Sequence, residues 1–149
     1  MVEYKLERFK DFLNEFLEIV PHHWEDVAFD KDKFPLDLDL DKYKVLDETD
    51  LLFIVTVRDK AKLIGYYMGI ATPHLHYKSS LTLYTDMFYI LKEHRKGLTG
   101  YNLFKAVEKE AKKKGIERIY LGCTTRVDVS PIFKRLGYNK IETNFSKVI

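Results

Sequence analysis

The sequence predicts a mixed α/β fold in a single domain: a central sheet, mostly antiparallel but with one parallel pair, flanked by helices. Three observations carry this. An apolar, β-branched and aromatic run at 81–91 passes through a short polar loop with two glycines, 92–100, into a segment of helical periodicity that Gly115 stops. A further strand, 117–123, with Ile119, Leu121 and Cys123 on one face, follows, so the order strand, helix, strand makes a βαβ unit with parallel strands. Upstream, two β-rich runs at 51–58 and 63–71 are joined only by the polar turn DKAK, which suits an antiparallel hairpin.

From the N-terminus, Leu6, Phe9, Leu13, Phe16, Leu17 and Val20 recur at helical spacing and predict a helix over 3–19, which Pro21 ends. HHWEDVAFDKDKF then reads as a short second helix and loop, with Trp24 and Phe29 as core anchors and His22 and His23 as exposed loop residues. In PLDLDLDKYKVLDE, Asp37, Asp39, Asp41 and Glu48 match calcium-loop positions, but Lys42 stands where that loop needs glycine. Capping of a helix through Tyr43 and Leu46 by Asp37 or Asp39 explains the same acids.

In the second strand of the hairpin, Gly65 and Gly69 mark a bulge or the close approach of another backbone. Pro73 terminates its pairing, and PHLHYKSS is a loop into the strand at 81–91. In the helix that follows, Leu103, Phe104, Val107 and Ala111 form one buried stripe. Its outer face carries Glu108 and Glu110, each four residues before a lysine, Lys112 and Lys114. Asp128 or Ser130 caps a short helix with Pro131 in its first turn and Gly137 past its end. Residues 138–149 are expected to add one or two antiparallel strands.

At 149 residues, with 46% hydrophobic and 14% aromatic content, the chain is too apolar for disorder, and no apolar run approaches the ~20 residues of a membrane span. The expected partners exclude membrane and nucleic acid. A net charge of +2 compels no polyanionic ligand, although lysines and arginines gather around 92–118. The single Cys123 cannot form an internal disulfide, which fits a reducing cytoplasm. Whether the chain forms a homodimer is left open.

The loop EHRKGLTG opens the helix, so unpaired backbone N–H groups and the positive end of the helix dipole favour an anion there. Gly97 and Gly100 allow a phosphate close to the main chain, and Arg95 and Lys96 add charge; a diphosphate is the expected ligand. The order of strand, R-x-G-x-x-G loop and amphipathic helix, followed by IERIYLGC and IFKRLGY, resembles the GNAT N-acetyltransferase superfamily. HHWEDV, FPLDLDLDKY, PHLHY, TDMFYI, EHRKG and RLGYNKIETNFSKVI succeed one another as in the small phage and prophage members. In the family's usual pyrophosphate pattern, Q/R-x-x-G-x-G/A, Arg95 takes the first position and Gly100 the last, while Leu98 holds the middle glycine's place.

That resemblance implies a splayed parallel pair with acetyl-coenzyme A in its opening, held by Tyr89, Ile90 and Leu91 of the central strand and by Arg95, Lys96, Gly97, Leu98, Thr99 and Gly100. A main-chain N–H near Tyr89 or Ile90 would polarise the thioester oxygen. No metal is expected. The co-substrate would be an amine, its chemical class undecided. Removing the ammonium proton needs a base. Asp86 is the one carboxylate in its strand, on the side of Tyr84, and is either that base or a buried structural acid. His74 and His76 are alternatives on the substrate side. The slot where many family members place an acidic Tyr holds Phe133, leaving that role empty or to Tyr84 or water. An active N-acetyltransferase is therefore expected; a non-catalytic coenzyme A-binding or regulatory protein is the alternative.

Overall fold

The computed structural model describes residues 1–149. Its elements are, in order, β1 (Val2–Leu6), α1 (Phe9–Val27), α2 (Leu40–Glu48), β2 (Leu52–Asp59), β3 (Lys62–His74), β4 (Tyr77–Ile90), α3 (Thr99–Lys113), β5 (Arg118–Tyr120) and α4 (Ser130–Arg135). The five strands lie in sequence order; all neighbours are antiparallel except β4 and β5, which α3 connects as a parallel pair. One face of the sheet packs on α3 and α4 through Phe53, Val55, Tyr67, Leu83, Phe104 and Phe133. The other packs on α1 through Phe12, Phe16, Ile54, Tyr66 and Met68.

The first helix begins later than its periodicity predicts. Residues 2–6 form an edge strand paired to β2, because Val2 and Tyr4 alternate onto the core while Glu3 and Lys5 face out. Leu6, which fits both periods, is left exposed. Nor does Pro21 end α1: the buried stripe of Phe9, Phe12, Phe16, Ile19 and Val20 continues to His23, and Pro21 sits on the exposed side. Burial of the continuing stripe outweighs the one helical hydrogen bond a proline removes. HHWEDV is therefore the last part of α1, His23 is buried rather than exposed, and Phe29 is exposed rather than a core anchor.

The predicted cap on α2 is Asp39, whose Oδ1 accepts the Lys42 N–H at 2.9 Å. Leu36, Leu38 and Leu40 alternate inward against α1 and the sheet, leaving Asp37, Asp39 and Asp41 outside. Lys60 and Ala61 close the β2–β3 hairpin with both φ positive, the primed turn that matches strand twist. In place of a PHLHYKSS loop, β3 and β4 run on to pair His74 with Tyr77. The stripe predicted for α3 is buried as expected, and Gly115 stops the helix with φ +77°. Its surface ion pairs, however, span three residues, Lys105 to Glu108 and Glu110 to Lys113. β5 is shorter than predicted, and 138–149 add no strand; with only three residues paired in β5, little edge remains to template another.

Candidate active site

The site begins where two strands part. β4 and β5 pair only from Thr82 to Tyr84, and the Thr85 hydroxyl, donating to the Tyr120 carbonyl at 2.7 Å, is the last link between them. At the same level β4 bulges: Met87 faces Met68 and Thr85 faces Gly69, so Asp86 has no partner on β3. A Cβ at residue 69 would come within 2.8 Å of the Tyr84 carbonyl and 2.9 Å of the Tyr67 hydroxyl, so this bulge requires glycine. The extra residue also resets the alternation, sending Phe88 and Ile90 to the α3 face and Met87 and Tyr89 to the α1 face.

Beyond the bulge β4 has a free edge. Leu91 donates its N–H to the Ile64 carbonyl at 2.9 Å, and antiparallel alternation therefore turns the N–H groups of Phe88 and Ile90 away from β3, into the opening. Of the three main-chain positions expected to meet a cofactor, Ile90 does present its N–H there. Tyr89 presents its N–H to β3 instead, and that of Leu91 is already used. A cleft of ≈790 Å³ runs along this edge, bordered by α3 and α4 on one side and by α1 with the segment before α2 on the other.

The polar loop forms one end of the cleft. Residues 92–94 make a single 3₁₀ turn, Gly97 takes φ +59°, and α3 starts at Thr99. The N–H groups of Gly97, Leu98, Gly100 and Tyr101 have no acceptor in the protein, which leaves an anion cradle at the helix's positive end. Gly100 also admits the helix to its neighbours: a Cβ there would lie 3.2 Å from Ile132 Cδ1 and 4.0 Å from Ile90 Cδ1. Thr99 points its groups elsewhere, its hydroxyl donating to the Lys96 carbonyl at 2.9 Å and its own carbonyl accepting from Tyr4 at 3.1 Å. Lys96 is exposed beside the cradle.

Arg95 is held from behind. Its Nε donates to the Ile90 carbonyl at 2.7 Å, Nη2 reaches Asp26 at 2.9 Å, and the guanidinium lies 4.8 Å from the centre of the Tyr89 ring. Asp26 also accepts the Tyr89 hydroxyl and the Lys92 ammonium, each at 2.8 Å. Burial alone would raise its carboxyl, but Lys92, Tyr89 and Arg95 together hold it down at about 2. The network ties the end of α1 to the end of β4 and to the first turn of the loop.

His23 stacks on Tyr89 at 4.8 Å, with its Nδ1 2.8 Å from the Tyr66 hydroxyl, and lines the cleft. Burial lowers its pKa from 6.5 to about 4, so the ring is neutral at pH 7. Below 6.5 the unfolded chain takes up a proton that the folded chain refuses until about 4, so stability falls as the pH drops through that window. Denaturant unfolding should show a loss of about 2 kcal/mol between pH 7 and pH 4.5, absent in His23→Asn. An equal loss in that variant would assign it to another group.

On the α1 face, Asp86 reaches the cleft and is exposed, not buried in the strand; it accepts a hydrogen bond from the Tyr43 hydroxyl. Burial, then the Asp86 carboxylate, raises the Tyr43 pKa, so Tyr43 remains the donor. The other catalytic candidates lie apart. Tyr84 stacks on Tyr120 at 5.4 Å and on His74 at 5.9 Å, and His74 Nδ1 accepts the His76 N–H at 2.9 Å. None of Tyr84, His74 or His76 borders the cleft. Extension of the β3–β4 hairpin carries both histidines to its far end.

Phe133 is buried against Phe104, Phe88 and Tyr138, as an aromatic core residue with no proton to give. Cys123 borders the cleft, but partial burial and the Asp128 carboxylate, 3.5 Å away, outweigh the hydrogen bonds of the Val129 and Ser130 main chain and raise its thiol pKa, so it is not activated as a nucleophile. Sequence reasoning missed His23, Asp26 and the wall that Trp24 provides. The signal was present: carrying the helical stripe past Pro21 places His23 inward.

Residues 9–138 match the family model described as Acetyltransferase (GNAT) family. No curated protein sequence matches the chain. Among solved structures, the ribosomal-protein-alanine N-acetyltransferase of Brucella melitensis biovar Abortus 2308 superposes with a TM-score of 0.78 at 13% identity, over 100% of this chain and 98% of that one. An aminoglycoside acetyltransferase from an uncultured soil metagenomic sample gives 0.75 at 12% identity, over 99% and 96%. A predicted acetyltransferase of Clostridium acetobutylicum, solved with acetyl-CoA, gives 0.71 at 15% identity, over 99% and 96%. At these identities the likeness is one of fold, and it extends along each chain. With the family model covering all but the ends of the sequence, the chain belongs to the GNAT acetyltransferase family.

Proposed function

We propose that the protein is an acetyl-coenzyme A-dependent N-acetyltransferase that acts by direct transfer to a primary amine. One observation carries the reading: the free edge of β4 runs from an unpartnered N–H cradle at α3 to an exposed carboxylate at the bulge, within a single cleft. The donor supplies an acetyl thioester, from which the amine nitrogen takes the acetyl group as a thiol is released. The residues present fit such a group. Gly97, Leu98, Gly100 and Tyr101 offer main-chain donors to a diphosphate, and Phe88 and Ile90 offer donors to the pantetheine arm and the thioester oxygen. Asp86 accepts the ammonium proton, and the Tyr43 hydroxyl fixes the orientation of its carboxylate.

Arg95 and Lys96 add positive charge at the cradle. Arg95 keeps Nη1 without a protein acceptor, while Nε and Nη2 lock the loop to β4 and α1. Arg95→Ala is expected to weaken acetyl-coenzyme A binding by about 1–3 kcal/mol, the range for charge-assisted hydrogen bonds. Calorimetry with pantetheine, which lacks the diphosphate, is the control: an equal loss there would reduce Arg95 to a support for the loop.

Phe133 favours a second reading, a protein that holds coenzyme A without turnover, since no hydroxyl stands in that slot. Release of free thiol from acetyl-coenzyme A, followed with and without a pooled set of primary amines, separates the two. Amine-dependent release supports transfer; tight binding with no amine-dependent release supports the second reading.

A further inference from the structure

Resting on that reading, we propose that the acceptor is a primary monoamine carried on an apolar body, and that polycationic amines are poor acceptors. The α1 side of the cleft is walled by Val20, Trp24, Val27, Leu36, Leu38 and Met87. Asp86 is the only carboxylate in the lining of the whole cleft. The acids of the LDLDLD segment look available in sequence, yet the alternation that turns Leu36 and Leu38 inward turns Asp37, Asp39 and Asp41 to solvent. Asp26, close to the wall, is already shared by Lys92, Arg95 and Tyr89.

An incoming molecule therefore meets one anchor for one ammonium group, surrounded by apolar surface. A second cation would be desolvated against Trp24 and the leucines without a counter-charge, which opposes binding. A hydrocarbon or aromatic body would gain from the same wall. Arg95 and Lys96, at the cradle end of the cleft, repel further positive charge. Selectivity thus follows from how few polar groups the wall offers.

The test pairs acceptor turnover with direct amine binding. Phenethylamine, spermidine and kanamycin are compared for kcat/KM with acetyl-coenzyme A, and for calorimetric affinity to the protein alone. We expect phenethylamine to exceed both polycations at least 100-fold in kcat/KM and to bind more tightly. In Leu36→Asp, which adds a carboxylate to the wall, the gap between phenethylamine and spermidine should narrow at least tenfold. A preference for either polycation, equal use of all three, or phenethylamine that neither binds nor reacts while acetyl-coenzyme A binds normally would overturn the proposal. Absence of acetyl-coenzyme A binding would instead strike the acetyltransfer reading, and amine affinities for the protein alone would still decide the acceptor class.

Discussion

Asp86→Asn will lower kcat/KM for acetyl transfer by about 10²–10⁴-fold, the usual contribution of a positioned general base, while leaving acetyl-coenzyme A affinity and thermal stability near wild type. The substitution keeps shape and can still accept from Tyr43, but it cannot hold the ammonium proton. Because Asp86 is the unpaired residue of the bulge and is exposed to the cleft, its replacement removes no core contact. His74→Ala and His76→Ala are the matched controls, since neither borders the cleft, and both should keep activity within about twofold. Asp86→Asn with full activity would return Asp86 to a structural role and leave the proton to water.

Gly100→Val will weaken acetyl-coenzyme A binding about 100-fold or more, equivalent to about 3 kcal/mol, if two charge-assisted hydrogen bonds at the cradle are lost. The added side chain would stand between Ile132 and Ile90, both in the lining of the cleft, at the second residue of α3. The nearest atom it meets is the terminal methyl of Ile132, at 3.2 Å, which can move, so the fold should survive. Circular dichroism and melting temperature check that. A folded Gly100→Val protein with unchanged affinity would place the diphosphate elsewhere.

Much of this architecture was legible because it depends on local periods. The α3 stripe, the Gly115 stop, the Asp39 cap and the β2–β3 hairpin each follow from residues a few positions apart. The parallel pair follows from connection length, and the cradle from glycines at a helix start. What was misread depends on distant partners. Residues 2–6 carry both a strand and a helix pattern, and only pairing with β2 decides between them. Pro21 reads as a stop until the stripe beyond it finds Tyr66 and Tyr89 to pack against.

The candidate site divides in the same way. Asp86 stood out as a lone carboxylate in an apolar strand, and the bulge that gives it access to the cleft needs the register of β3 against β4. Tyr89 was expected to serve through its backbone; the bulge turns its side chain to α1, where Asp26 and His23 meet it. No spacing within one segment announces a carboxylate 69 residues away as the partner of Arg95.

The most direct test of acetyl transfer in the β4-edge cleft is a mass balance on purified protein supplied with acetyl-coenzyme A and a pooled set of mono- and polyamines. Free thiol is read by colour and acetylated amine by mass spectrometry, for the wild type beside Gly100→Val and Asp86→Asn. The structure predicts one acetylated amine per thiol released by the wild type, lost in Gly100→Val through binding and in Asp86→Asn through turnover. Binding of acetyl-coenzyme A with no acetylated amine formed, or turnover equal in all three proteins, would contradict it.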